Sequence, residues 1–230
     1  MPVSDKAVLF DLDATLTDHR TAFRRWAAAF ATDTNVPLLW LLNAEQRWRG
    51  QRARFFSEIS RTFDLGRSVL QMQADYRERT AELVPHRPEV CEALEALAGD
   101  GWRMGVVTNG EAAAQRTKLR TAGLDHYFPK GVVISSELGI RKPDPLLFEI
   151  ALCDLDMRDR PAVVVGDDLE TDIRGAIRAG LTPVWVSAGQ SRRPHDPEPA
   201  YTAHTVVEAA QWLLAQDPWP SPGARASMAA

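Results

Sequence analysis

Apolar residues along this chain fall into two rhythms. AVLF (Ala7–Phe10), GVVIS (Gly131–Ser135) and AVVVG (Ala162–Gly166) are short and almost wholly apolar, and RMGVVT and TPVWVS read the same way. A strand buried on both faces needs such a run. Between them, PEVCEALEALAGDG, AAAQRTKLRTAG, DPLLFEIALCDL and TDIRGAIRAG carry apolar residues at helical spacing, and three of the four close on glycine. Alternation of this kind predicts a parallel sheet with helices on both faces, a Rossmann-like α/β core.

From Thr17 to Pro85 the texture differs. TAFRRWAAAFATD, AEQRWRGQRARFFSEISRTF and SVLQMQADYRERTAEL keep helical spacing with no β-branched run. Three or four amphipathic helices are expected there, inserted after the first strand. The predicted plan is a core from residues 1–16 and 86–216, a helical insertion over 17–85, and a disordered tail over 217–230, which is rich in Pro, Ala, Gly and Ser.

A length of 230 residues allows a large core with a small insertion, and hydrophobic and charged fractions of 45% and 25% are those of a globular protein. Cys91 and Cys153 form no CxxC and read as reduced thiols. A net charge of −4 offers no general nucleic-acid surface. No basic-then-apolar signal opens the chain, and VPLLWLL is far short of a membrane span. The expectation is a cytoplasmic protein with neither nucleic-acid nor membrane partners.

Charge is unevenly spread. Residues 17–85 hold 11 Arg, no Lys and 8 acidic residues, a balance of +3 that leaves −7 for the rest. A basic insertion beside an acidic core suits an anionic ligand, although any single arginine reads as part of a solvated helix face. Trp26, Trp40, Trp48, Phe55 and Phe56 read as core of the insertion, with stacking on a nucleobase or flavin ring the lesser alternative.

The candidate chemistry lies where strands end. DLD places Asp11 and Asp13 at the end of the first strand, Thr108 and Asn109 end the second, and Asp167 and Asp168 end the fourth. Ligands of open α/β sheets bind at those carboxyl ends. Each motif alone has a bland reading: a turn, a loop lysine at Lys142, an acidic helix start in GDDLETD. Together they match phosphoryl transfer. Carboxylates from two strands hold Mg²⁺. A lysine and a threonine hydroxyl hold phosphate oxygens. One aspartate attacks phosphorus, and a second, two residues on, carries the proton.

VLFDLDATL, VVTNG, RKPDPLLFEIAL and VVVGDDLETDIRGAIRAG resemble the four motifs of the haloacid-dehalogenase-like phosphohydrolase superfamily. The resemblance implies a Rossmann-like core with a type-1 helical cap over 17–85 that closes over the site and selects substrate. It makes Asp11 the nucleophile, Asp13 the general acid/base, and Lys142 the group that neutralises charge on nucleophile and phosphate. Thr108 binds phosphate through its hydroxyl and Asn109 through its backbone N–H. The Mg²⁺ ligands become Asp11, the Asp13 carbonyl, Asp167 and Asp172, with Asp168 a weaker candidate. Ala14 departs from the glycine common in the family. The implied activity is hydrolysis of a small phosphate monoester, such as a nucleoside monophosphate, flavin-type phosphate or sugar phosphate, by a monomer or homodimer. A phosphomutase shares these motifs and stays open. A 2-haloacid dehalogenase lacks the second aspartate, and a non-catalytic binding protein would rarely keep the whole set.

Overall fold

The computed structural model describes residues 5–48, 50–158 and 160–216. The tail expected over 217–230 lies outside the described residues. In chain order the elements are β1 (Ala7–Phe10), α1 (His19–Thr34), α2 (Leu38–Arg47), α3 (Arg52–Thr62), α4 (Val69–Glu82) and α5 (Pro88–Gly99). Next come β2 (Arg103–Thr108), α6 (Ala112–Ala122), β3 (Val132–Ile134), α7 (Ser135–Leu138) and α8 (Leu146–Asp154). The chain continues through β4 (Ala162–Gly166), α9 (Arg174–Arg178), β5 (Thr182–Val186), β6 (Tyr201–Ala203) and α10 (Val206–Leu214).

The described residues divide into two compact units. One runs to Thr17 and resumes at His86; the other is Asp18–Pro85. Thr17 falls with the first because its backbone N–H and its hydroxyl both donate to the Leu12 carbonyl.

In the first unit six parallel strands lie in the order β3-β2-β1-β4-β5-β6. The sheet is thus the parallel α/β layer that the alternating pattern predicts. β1 is central, with Phe10 opposite Val106 of β2 on one side and Val165 of β4 on the other. Every residue of β1 and β4 is buried, which explains their unbroken apolar runs. On one face Leu147, Phe148 and Ala151 of α8 pack with Leu9, Val107 and Val164. The chain crosses to β2 and β3 on one side of β1 and to β4, β5 and β6 on the other. The gap between β1 and β4 is therefore the point where an open sheet binds its ligand.

The second unit is all helical, α1 to α4. Phe23, Trp26, Phe30, Phe55, Phe56 and Tyr76 form its core. Trp26 stacks on Phe30 with centroids 4.8 Å apart and meets Tyr76 edge-on at 4.9 Å. Trp26, Phe55 and Phe56 are thus core residues. Trp40 and Trp48 sit partly buried at the margin, and Trp48 Nε1 donates to Glu58. Several arginines are spent inside the unit: Arg47 on Glu58, Arg79 on Asp75 and Asp33, and Arg52 on Glu45 and over the Phe23 and Tyr76 rings.

Three features were not anticipated from the sequence. β6 is only three residues long, too short for a periodicity signal. α10 is an amphipathic helix that buries Val206, Ala209, Ala210 and Leu213, its start marked by Thr205 accepting from the Glu208 N–H. The segment expected to be one helix over TDIRGAIRAG begins as a π-type turn, Leu169–Ile173, before α9.

The DLD turn carries strain at one position. Ala14 has φ 62°, in the left-handed region, where a Cβ costs roughly 1–2 kcal/mol. Ala14→Gly is therefore expected to stabilise the protein by about 1 kcal/mol after the added unfolded-chain entropy is subtracted. Thermal unfolding should rise by about 2–4 °C; a midpoint that stays put or falls would show that the turn is not strained there.

Candidate active site

β1 ends into Asp11, whose N–H donates to the Val165 carbonyl of β4 at 2.9 Å, so the ladder continues one residue past the strand. That bond fixes Asp11 beside the end of β4, where Gly166 leads into Asp167. Gly166 has no side chain for a steric reason: a Cβ there would lie 2.4 Å from the Asp172 side chain. The π-type turn returns Asp172 under this glycine, fully buried, with Oδ2 accepting the Asp168 N–H at 3.0 Å.

Lys142 enters from the loop between α7 and α8 and is itself buried. Its Nζ lies 2.5 Å from Asp11 Oδ1 and 2.6 Å from Asp172 Oδ1. The Asn109 side chain holds the Lys142 backbone from both directions: Oδ1 accepts its N–H at 2.9 Å, and Nδ2 donates to its carbonyl at 3.2 Å. The tip of β2 thereby positions the lysine that meets the tip of β1.

Among the described residues, the acidic side chains that converge are Asp11, Asp167 and Asp172, with one carboxylate oxygen from each lying within 4.8 Å of the others. Asp167 is braced through its backbone, whose carbonyl accepts Trp185 Nε1 at 2.8 Å, and Thr15 Oγ1 approaches its carboxylate at 3.5 Å. Asp168 points elsewhere: its Oδ1 caps the following turn by accepting the N–H groups of Glu170 and Thr171 and the Thr171 hydroxyl.

Asp13 is turned toward α6. Both its carboxylate oxygens lie 2.7 Å from Lys118 Nζ, and Oδ2 accepts from Gln115 Nε2 at 3.1 Å. The same Gln115 nitrogen reaches Thr108 Oγ1 at 2.6 Å and the Asn109 carbonyl at 3.2 Å. Of the residues singled out from sequence, Asp11, Lys142, Asp167 and Asp172 form one cluster, and Asp13, Thr108 and Asn109 are tied together beside it through Gln115. Gln115, Lys118 and Trp185 were not singled out. A signal existed for two of them: Gln115 and Lys118 occupy the buried stripe of α6 alongside Leu119 and Ala122, where periodicity calls for apolar residues.

The electrostatics are unbalanced. Burial pushes Asp11 up to about 7, against the pull of Lys142 and with the repulsion of Asp172 and Asp13. Burial, then repulsion from Asp11, Asp172 and Asp168, pushes Asp167 up to about 8. Burial opposes the charge on Lys142, but Asp11 and Asp172 outweigh it and raise its pKa. Three carboxylates around one ammonium leave two negative charges uncompensated. A hard divalent cation would cancel that excess, and all-oxygen donors are its preferred ligands. The donor set fits such an ion.

Residues 6–180 match the family model described as haloacid dehalogenase-like hydrolase. The chain is 44% identical over 126 residues to a phosphoserine phosphatase of Thermus thermophilus; the match covers 55% of this chain and 49% of that protein, so it spans about half the relative's length. It is 33% identical over 199 residues to a glyceraldehyde 3-phosphate phosphatase of Methanopyrus kandleri, covering 80% of this chain and 85% of that one. Among solved structures, the HAD-hydrolase YfnB of Bacillus subtilis, bound to magnesium, superposes with a TM-score of 0.76 at 22% identity, covering 90% of this chain and 98% of the other. At that identity the likeness speaks for the fold.

The raised carboxylates carry a pH signature. Without a cation, Asp11 and Asp167 bind their protons more tightly in the folded protein than at the ordinary value of 3.8. Their contribution to stability is full below about pH 4 and is lost as the pH rises through about 7 to 8. In chelator, the unfolding midpoint should fall between about pH 5.5 and pH 8.5. An added divalent cation should raise it, and more at the higher pH, because bound cation replaces bound proton. A midpoint that is flat with pH and indifferent to cation would contradict the charge count.

Proposed function

The chain belongs to the haloacid dehalogenase-like hydrolase family, and we propose that it is a magnesium-dependent phosphatase acting on a small phosphate monoester through an aspartyl-phosphate on Asp11. The observation that carries the reading is the Lys142 ammonium between Asp11 and Asp172, with a second carboxylate, Asp13, two residues along and held on its own. That arrangement supplies a nucleophile and a separate proton carrier, the two groups that hydrolysis of a phosphate ester requires.

Asp11 attacks phosphorus through its second carboxylate oxygen while Lys142 opposes its protonation and orients it. Thr108 offers its hydroxyl, and the Asn109 backbone its N–H, to phosphate oxygens. Asp13 gives its proton to the leaving oxygen as the phosphorus–oxygen bond breaks, then takes a proton from the water that attacks the aspartyl-phosphate. Asp11, Asp167, Asp172 and the Asp13 carbonyl would hold Mg²⁺, which when bound would supply a Lewis acid for the phosphate. The substrate class that the relatives favour is a small phosphorylated metabolite, since the curated relatives are named for phosphoserine and glyceraldehyde 3-phosphate. Asp13 separates this reading from carbon–halogen cleavage, which needs no proton donor.

A panel of phosphate esters with Mg²⁺, and the same panel in excess chelator, tests the activity: release is expected only with the metal, and full activity in chelator would overturn the assignment. The two aspartates should fail differently. Asp11→Asn should form no phosphoenzyme with any ester. Asp13→Asn should slow the first step with an alkyl ester by roughly 10²–10⁴-fold. With p-nitrophenyl phosphate, whose leaving group needs no proton, it should still release up to one equivalent of nitrophenol quickly and then turn over slowly. Identical behaviour of the two variants in rapid mixing would show that the roles are wrongly divided.

A further inference from the structure

α6 presents two polar side chains, Gln115 and Lys118, on the stripe it buries. Both are almost wholly buried, Gln115 at 1% exposure and Lys118 at 7%. Their i, i+3 spacing puts them side by side on one face, and both reach Asp13. Burying an ammonium and an amide is costly unless each is bonded. An apolar residue at either place would pack against Leu119 and Ala122 without that cost.

Asp13 itself does not need them for solvation. Its side chain is 32% exposed, whereas that of Lys118 is only 9% exposed. A carboxylate with that much access to water stays hydrated without a partner. The lysine therefore does more than solvate the aspartate: its two contacts fix the direction of the carboxylate. A free aspartate side chain samples three χ1 wells; two contacts at 2.7 Å from one ammonium and one at 3.1 Å from an amide select one of them. Gly110 belongs to the same device. A Cβ at Gly110 would sit 2.9 Å from Gln115 Cδ, so the glycine of TNG leaves the room that Gln115 occupies.

We infer that Lys118 and Gln115 are positioning residues that aim the Asp13 carboxyl at the leaving oxygen and lock that aim to the phosphate-holding tip of β2. Gln115 is the coupling element, because one amide nitrogen spans Asp13, Thr108 and Asn109. The inference rests on the proposed phosphatase reading. The step it serves is unchanged: the Asp11 oxygen–phosphorus bond forms, the phosphorus–leaving-oxygen bond breaks, and the proton on Asp13 passes to the departing oxygen. Misaiming a transfer group by about 1 Å can cost on the order of 10²-fold in rate.

The test compares an alkyl phosphate with p-nitrophenyl phosphate in wild type, Lys118→Met, Asp13→Asn and the double variant, all with Mg²⁺. For Lys118→Met we expect kcat on the alkyl ester to fall by about 10- to 100-fold, with KM little changed. The nitrophenol burst should keep the wild-type rate and be followed by slowed turnover. In the Asp13→Asn background, Lys118→Met should add no further loss, since its target is gone. An unchanged kcat on the alkyl ester, an equal loss in the burst phase, or additive losses in the double variant would each overturn the positioning role. Lys118→Arg, which keeps the charge but displaces the donors, should show the same split in weaker form and decides the question if Lys118→Met does not fold. A wild-type protein that releases phosphate from no ester would overturn the phosphatase reading and this inference with it; an active wild type with an unaffected Lys118→Met would overturn this inference alone.

Discussion

The acidic edge of the sheet is held by one buried ammonium. Lys142 joins the end of β1 to the turn after β4, through Asp11 and Asp172, while its own backbone is gripped by Asn109 at the end of β2. Three neighbouring strands are thereby tied at their carboxyl ends by a single residue from a loop. Taking the lysine away would strand its carboxylate partners uncompensated in the interior, a loss of about 3–5 kcal/mol for a buried pair. The arrangement is also incomplete by design. One positive charge among three carboxylates leaves the edge too negative to be comfortable alone, and the raised pKa values of Asp11 and Asp167 express that discomfort.

The two opening aspartates are kept apart by what surrounds them. Asp11 is buried and meets Lys142; Asp13 is part-exposed and meets Lys118. Two residues of separation put them on the same side of an extended strand, yet the turn at Ala14 and the buried face of α6 give each its own cation. Chemistry that needs an ionised nucleophile beside a proton carrier requires this kind of separation, because two carboxylates sharing one partner would titrate as a unit.

Much of the sheet was legible in the sequence because a strand buried on both faces has little choice of residue. VLF and VVV announce β1 and β4 by composition alone. β6 was not legible: three residues on an edge carry no period. The π-type turn was not legible either, since LETDI has ordinary helical composition and only the need to tuck Asp172 beneath Gly166 distinguishes it. At the site, residues whose chemistry is unusual for their place, such as two carboxylates at a strand end, were readable. Asn109 was readable as a residue but not in what its side chain does, because bracing Lys142 depends on a loop 33 positions away. Gln115 and Lys118 sat in plain view on a helix that looked conventional, and only their burial exposes them. Trp185 could not have been found, since its indole N–H could equally have faced solvent.

The insertion of a whole helical unit directly after β1 has a consequence for how the protein is made. Ala7 pairs with Arg103 and with Ala162, so the central strand leaves the ribosome long before either neighbour exists. At synthesis rates of about 5–20 residues per second, the nascent chain carries an unpaired, wholly apolar segment for many seconds, while α1 to α4 can already collapse on their own aromatic core. The order of birth thus differs from the order of assembly: β1 is translated before both of its neighbours, and its pairing waits for β4. Late pairing of this kind slows folding through its long loop closures.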